Sequence, residues 1–404
     1  MQNEPYTSGM QTELRTMPWT IYASRGIYGM NWFSIAPGLP YIISGLGMTT
    51  VEGGLVATSF YLGIIPFQVL GGVLSSKFGN ITVSISGIAM LGIFTLLSSA
   101  AHDFTYLFTW RFLAGSGSAL FSSPALAFLS SLENRRSLTM RVGLYNAAFS
   151  IGSALGIVFF TFTDATLGWR TTFLISGLLA LASVPFLAIS SMGINISSPS
   201  RAVRNYGISD SVRGVWRFSL SAAIAVLSEA IIGQVFILYS ERHVQINGYL
   251  SGITVTVYML VGFVGGILWG RYFMKSGNRN AMFLSTVFIL SVTFFLIPFL
   301  RTFTSLLAIV SLDGVLTAAI LSMTYSRVIE GAASRNRVAL ALGFNNFLQK
   351  VIAFGSPALF IMIGVNYGYG ISWDFFGVAG LVCLLAYPME RMIRQESEPS
   401  QLDC

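Results

Sequence analysis

Five ionisable residues stand well inside long apolar runs: Arg25, Arg111, Glu229, Asp313 and Lys350. A charge facing lipid near the bilayer centre costs at least about 2.5 kcal/mol, so all five are expected to face a protein interior. Counted at about 1.5 Å per helical residue, Glu229, Asp313 and Lys350 lie roughly 15 to 18 Å into their runs, at one depth near the midplane. Two acids and one base at that depth predict a shared polar cavity. One acid can pair with Lys350, which leaves the other free to take up and release a proton. Proton coupling through Asp313 or Glu229 is the expected chemistry; the competing expectation is a static neutralising pair that pins neighbouring helices.

Lysine usage singles out Lys350. The chain has three lysines, and the other two, Lys77 and Lys275, lie in short turns. Lys350 adjoins Gln349 and lies one turn from Asn345 and Asn346. Such a cluster can bind an anionic or hydrogen-bonding substrate, or satisfy itself through neighbouring helices. Arg111 and Arg25 each lie about seven residues into their runs, near enough to an end to snorkel. Arg25 is read as a tyrosine-flanked anchor of that kind.

The elements that must hold these groups follow from composition. Hydrophobic residues make up 54% of the 404 and charged residues 10%, with a mean hydropathy of +0.70, whereas soluble domains are usually about a quarter charged. Runs near the roughly 20 residues needed to cross a bilayer as a helix number twelve: 18–44, 53–75, 81–101, 104–130, 142–163, 171–193, 217–240, 248–271, 281–300, 303–326, 339–363 and 371–389. The net charge of +7 does not point to nucleic acid. With the N-terminus inside, seventeen Lys and Arg residues fall on the cytoplasmic face, and only Arg170, Arg242 and Arg301 fall outside. That asymmetry predicts a multi-pass cell-membrane protein with both termini cytoplasmic.

Other chemistry finds no support. Cys383 and Cys404 suggest no disulfide framework, and His102 and His243 fall in outer loops with no metal-ligand spacing around them. No Gly-rich segment ends in the Gly-Lys-Ser/Thr of a phosphate cradle. The first span has no basic start or cleavage site ahead of it and is read as an uncleaved anchor. The expectation is a protein that is not an enzyme and needs no metal or cofactor.

The polar stretch 194–216 is read as a cytoplasmic connection between an N-terminal half, 1–193, and a C-terminal half, 217–404. Each half carries the same short turn. Gly72, Lys77, Gly79 and Asn80 recur as Gly270, Lys275, Gly277 and Asn278, each displaced by 198 positions. Internal repeats in a polytopic chain are a mark of secondary transporters. Small residues at helical spacing (Gly115, Ala119 and Ser122; Ala148, Gly152 and Gly156) are read as packing. Pro37, Pro40, Pro66 and Pro357 predict bent helices.

The turn after the second run resembles the signature of the major facilitator superfamily, and the turn after the eighth is similar to it. Arg111 followed by Gly115 and Gly117, Gly168-Trp169-Arg170, and the pair Gly152 and Gly156 match further motifs, although Ile157 breaks the antiporter motif. The resemblance covers essentially the whole chain and implies an all-α fold of twelve transmembrane helices in two pseudo-symmetric six-helix halves. It makes Gly72, Lys77, Gly79, Gly270, Lys275 and Gly277 a conformational gate. Ser76 and Met274 stand where the family's acid is expected, so Lys77 and Lys275 need other partners, Glu133, Glu330 or helix-end carbonyls.

In that family spans one, four, seven and ten line the cavity. This implies Tyr28, Asn31, Trp32, Arg111, Glu229, Gln234 and Asp313 around one path, with Tyr258, Asn346 and Lys350 on flanking spans. The expected function is alternating-access transport of a small organic solute, proton-coupled, by a chain acting as a monomer in the lipid bilayer. Arg25, Arg111 and Lys350 favour an organic anion. The alternatives are export of lipophilic cations by proton antiport, suggested by Glu229 and Asp313, and a non-transporting membrane sensor.

Overall fold

The computed structural model describes residues 5–131, 135–191, 215–331 and 335–387, and these are helical without a strand. In the first half, α1 (Pro5–Trp32) and α2 (Ile35–Gly45) form a first span broken at Phe33 and Ser34; α3 (Thr50–Phe78), α4 (Asn80–Ser98), α5 (Phe104–Ser131), α6 (Arg135–Leu167) and α7 (Trp169–Ser191) follow. The second half repeats the broken start with α8 (Val215–Ser221), α9 (Ala223–Gln234) and α10 (Phe236–Tyr239), closed by a π-helical turn at Ser240–Val244. Then come α11 (Gly248–Lys275), α12 (Arg279–Leu296), α13 (Phe303–Gly331), α14 (Arg335–Ala353), α15 (Ser356–Tyr367) and α16 (Tyr369–Leu384).

Among the described residues nine helices are long and apolar enough to cross a membrane, and the α8–α9 pair, bent by 49°, makes a tenth. The broken first span and the shorter α16 bring the number to the expected twelve. Most of the expected connection 194–216 lies outside the described residues, as does Glu133.

Local chemistry sets the joints. The capping box at the start of α3 has the Thr49 amide donating to Glu52 Oε2 at 2.7 Å and the Glu52 amide donating to Thr49 Oγ1 at 3.2 Å, which satisfies two orphan helix-end donors. Gly79 turns the chain from α3 into α4 at φ 87°, a conformation that favours glycine. The second copy of that turn is built differently, with Asn278 Oδ1 capping α12 by accepting from the Ala281 amide at 3.3 Å. Pro357 lies two residues past Gly355, whose φ of 77° breaks the eleventh span into α14 and α15.

The repeat is also legible in packing. A methyl group added at Gly63 or Gly115 would collide with the carbonyls of Phe112 or Phe60, and one at Gly262 or Gly314 with the carbonyls of Gly314 or Tyr258. The α3–α5 and α11–α13 pairs therefore touch backbone to backbone at matching points of the two halves, as small residues permit in lipid. Contacts between the halves gather toward the face opposite the two basic turns. There Gln234 Nε2 donates to Trp32 O at 3.1 Å, Arg242 Nη2 to Pro40 O at 3.3 Å, and the Ala358 amide to Thr58 Oγ1 at 3.2 Å.

Candidate functional site

The centre of the bundle is an aromatic block with a cation on it from each half. Tyr28 and Trp32 come from the end of α1, and their ring centres are 5.6 Å apart. Phe149 of α6 stands 5.9 Å from each of them. The Arg25 guanidinium lies 4.3 Å from the Tyr28 ring centre, 4.4 Å from Tyr145 and 4.7 Å from Phe149. Lys350 Nζ, on α14 of the other half, lies 4.5 Å from the Trp32 ring centre. Cations over aromatic faces gain about 0.5–2 kcal/mol each.

One carboxylate joins this cluster. Glu229 of α9 interacts electrostatically with Lys350 and with Tyr61, Tyr258 and Tyr325, while Arg25 acts on Lys350 and Tyr325. Arg25, Glu229 and Lys350 are all half-buried. Several hydroxyls around them are paired, while Trp32 Nε1 and Gln349 Nε2 have no partner. Tyr325 OH donates to Asn346 Oδ1 at 2.8 Å, and Ser228 Oγ links Tyr258 OH at 3.2 Å to Thr317 Oγ1 at 3.1 Å.

Arg25 is thus no snorkelling anchor. It sits on the inner face of α1, where Tyr28, Tyr145 and Phe149 take its guanidinium inward, and its Nε and Nη1 meet no hydrogen-bond acceptor. Arg111 does not snorkel either. It is fully buried, stacked 4.6 Å from Phe60 and 5.6 Å from Phe173, and its Nη1 donates to Ser34 Oγ at the break of the first span at 3.3 Å. Phe60 in turn is 5.2 Å from Trp32, so Arg111 is one ring away from the central block and inside the first half.

Glu229 and Lys350 act on each other directly, whereas Asp313 meets their cluster through Tyr258, on which both acids act. Asp313 is fully buried with neither carboxyl oxygen hydrogen-bonded; it faces Thr293 of α12, whose hydroxyl donates to Leu290 O at 2.7 Å. The reason is its side of α13: Asp313 is turned into the second half, toward α12, and Lys350 senses Glu229 and Arg25 instead. Arg111 lies four residues before Gly115 and Asp313 one residue before Gly314, so the two buried charges sit about one turn apart on the equivalent fourth and tenth spans.

The remaining candidates separate similarly. Asn31 spends its amide on the carbonyls of Ile27 at 3.0 Å and Ser176 at 3.2 Å, which commits it to packing within the first half. Gln234 and Trp32 meet at the contact between halves described above. In the turns, Lys77 Nζ lies over Phe78 at 5.2 Å. Glu330 is held by Arg279 at 2.8 Å and Arg327 at 3.7 Å, the arginines taking the place expected for Lys275. Gly72 and Gly277 have open space around them, while Gly270 packs against Ser322.

One buried acid has no counterpart in the reading of the sequence. Asp164 of α6 is 3% exposed, and neither of its oxygens nor the Thr172 hydroxyl beside it has a hydrogen-bond partner. It abuts Gly38 of α2, where an added Cβ would lie 3.1 Å from Oδ2. The signal was available: Asp164 falls one residue beyond the run 142–163, and α6 continues through it to Leu167.

Residues 21–212 match the family model of the Major Facilitator Superfamily. The chain is 28% identical over 146 residues to the 3-(3-hydroxy-phenyl)propionate transporter of Escherichia coli, covering 36% of each chain. It is 26% identical over 284 residues to the major facilitator superfamily multidrug transporter mfsC of Aspergillus fumigatus, covering 65% of this chain and 54% of that one. The matched stretch is thus less than two thirds of either relative's own length. A crystal structure of a bacterial homolog of the human lysosomal transporter Spinster, inward-facing and unoccupied, superposes with a TM-score of 0.78 at 13% identity over 99% of this chain and 100% of that one. Residues 21–212, just under half of the chain, thus resemble the Major Facilitator Superfamily, and the chain as a whole shares the fold of this transporter structure.

Proposed function

We propose that this protein is a proton-coupled secondary carrier of a small organic anion, working as a single chain in the cell membrane with its basic turns and both termini toward the cytoplasm. The observation that carries the reading is the charge of the central cluster. By formal charge Arg25 and Lys350 bring two positives and Glu229 one negative, which leaves an excess of one positive charge at the junction of the halves. An excess cation favours an anionic cargo and disfavours the lipophilic cations of the antiport alternative. The E. coli relative is named for an aromatic carboxylate, which accords with this preference.

Coupling falls to Glu229 and Asp313. Glu229 stands beside the cargo site, where its charge affects what binds. Asp313 is sealed without a counter-ion or hydrogen bond, and an ionised carboxylate in such a place is costly. A proton bound there in one state and released in the other supplies the coupling that alternating access requires. Charge asymmetry between the faces supports the orientation, and the turn residues Gly72, Lys77, Gly79, Gly270, Lys275 and Gly277 are the gate in this reading.

The test is uptake into proteoliposomes with an imposed pH gradient. Accumulation of a labelled organic anion that collapses with a protonophore is the expected result. Ligand binding without any flux would favour the sensor alternative, and accumulation indifferent to the gradient would remove proton coupling.

A further inference from the structure

We infer that the central site takes a monocarboxylate with a flat, largely apolar body, its one carboxylate held between Arg25 of the first half and Lys350 of the second. This rests on the carrier reading above and narrows it to a chemical class.

Three observations meet. First, the cations are placed on ring faces and are not consumed by an acid: neither Arg25 nor Lys350 is ion-paired with Glu229, and Arg25 Nε and Nη1 have no acceptor. Buried guanidinium donors left unused are a ready anion receptor once the halves part, and an arginine fork suits a carboxylate's two oxygens. Second, Tyr28, Trp32 and Phe149 present both cations on one aromatic block with ring centres 5.6 to 5.9 Å apart. Tyr28 and Trp32 are buried here, so a flat substrate stacks on the block when the halves part, while its carboxylate reaches the charges. The hydroxyls nearby are paired, Ser228, Tyr258 and Thr317 with one another and Tyr325 with Asn346, so the body of the cargo need not satisfy them, and the buried polar group of the block left without an acceptor is Trp32 Nε1.

Third, the charges count. By formal charge the cluster carries one net positive, and one carboxylate brings it to zero. A neutral loaded site passes through a closed, low-dielectric state at the least electrostatic cost. A second carboxylate would leave a net negative charge beside Glu229, and like charges at close quarters repel. Glu229 is therefore a specificity residue that rejects dianions. Because the clamp draws one charge from each half, occupancy also links the halves across the site.

The experiment measures binding to the full-length protein in detergent, by calorimetry and tryptophan fluorescence, with four probes: benzoate, phenylacetate, the neutral benzamide and the dianion phthalate. The wild type is expected to bind benzoate or phenylacetate about tenfold or more tightly than benzamide or phthalate, the size of a lost charge-assisted hydrogen bond. Glu229→Gln should raise phthalate affinity relative to benzoate by about tenfold, and Arg25→Gln or Lys350→Gln should each weaken benzoate by about as much. Equal binding of benzoate and benzamide, a wild-type preference for phthalate, or an unchanged phthalate-to-benzoate ratio in Glu229→Gln would overturn the inference. The wild-type panel needs no variant to fold. If the expected pattern is found without flux in vesicles, the carrier reading fails and the site assignment stands; if another solute is carried and the monocarboxylates are ignored, the assignment fails and the carrier reading stands.

Discussion

Lys350 Nζ rests 4.5 Å from the centre of the Trp32 ring, so an ammonium of the second half lies on an aromatic face of the first. The contact fixes the cation without neutralising it, and it makes a prediction about rescue. Lys350→Ala should reduce anion uptake about tenfold or more. Adding Asp313→Asn should restore none of it, because Asp313 lies outside the Lys350 cluster. Recovery in the double variant, measured as initial uptake rate, would show that the two residues form an ion pair.

Asp313 is sealed inside the second half with both oxygens unpaired. Asparagine has nearly its shape and carries no ionisable group, so Asp313→Asn should leave the melting temperature within about 4 °C of the wild type. Gradient-driven accumulation should nevertheless be lost, while counterflow exchange of the same solute persists. A collapse of stability in the Asn variant would mark Asp313 as a structural charge.

Gly115 and Gly314 do the same work in the two halves, receiving the carbonyls of Phe60 and Tyr258. Alanine at either position must push two helices apart, with an overpacking cost of about 1–3 kcal/mol. Similar losses are expected for Gly115→Ala and Gly314→Ala when each is followed by thermal unfolding in detergent. A neutral result at one position and a large loss at the other would contradict the equivalence of the two interfaces.

His243 lies in the turn outside the seventh span, 5.5 Å from Tyr239 and 5.2 Å from Tyr369 between ring centres. Burial first, and the nearby Arg301 second, hold its imidazole below the ordinary value of 6.5. The folded state therefore binds this proton less readily than the unfolded state does. Its contribution to stability is complete above the ordinary histidine range and is lost as pH falls through that value toward the lowered one. Melting temperature measured across this range should fall more steeply in the wild type than in His243→Gln; parallel curves would show that His243 contributes nothing.

Much of the architecture is written in hydropathy, because a bilayer demands long apolar helices and the basic turns repeat with a fixed displacement. The break of the first span is legible too: Pro37 has no amide to donate to the Phe33 carbonyl four residues earlier, and the helix breaks there, at Phe33 and Ser34. Less legible are the interruptions of the seventh span at Ala222 and Val235, where no proline stands.

Depth along a helix was readable, and direction around it was not. Counting residues put Asp313 level with Lys350 but could not reveal that α13 turns it toward Thr293. The same blindness made Arg25 an anchor, since the tyrosine flanking it in sequence, Tyr28, stacks with it on the inner side. At the basic turns, Arg279 lies one place past the repeated motif and reaches Glu330, one of the partners the motif left open for Lys77 and Lys275.

The central claim is that carboxylates enclosed by the two halves couple proton movement to passage of an anion. Its most direct test is gradient-driven accumulation in proteoliposomes containing wild type, Glu229→Gln, Asp313→Asn or the double variant, with benzoate as the labelled solute and its binding checked in parallel. The account predicts accumulation by the wild type and, in the double variant, retained binding with uptake that only equilibrates. Undiminished accumulation by the double variant would contradict it.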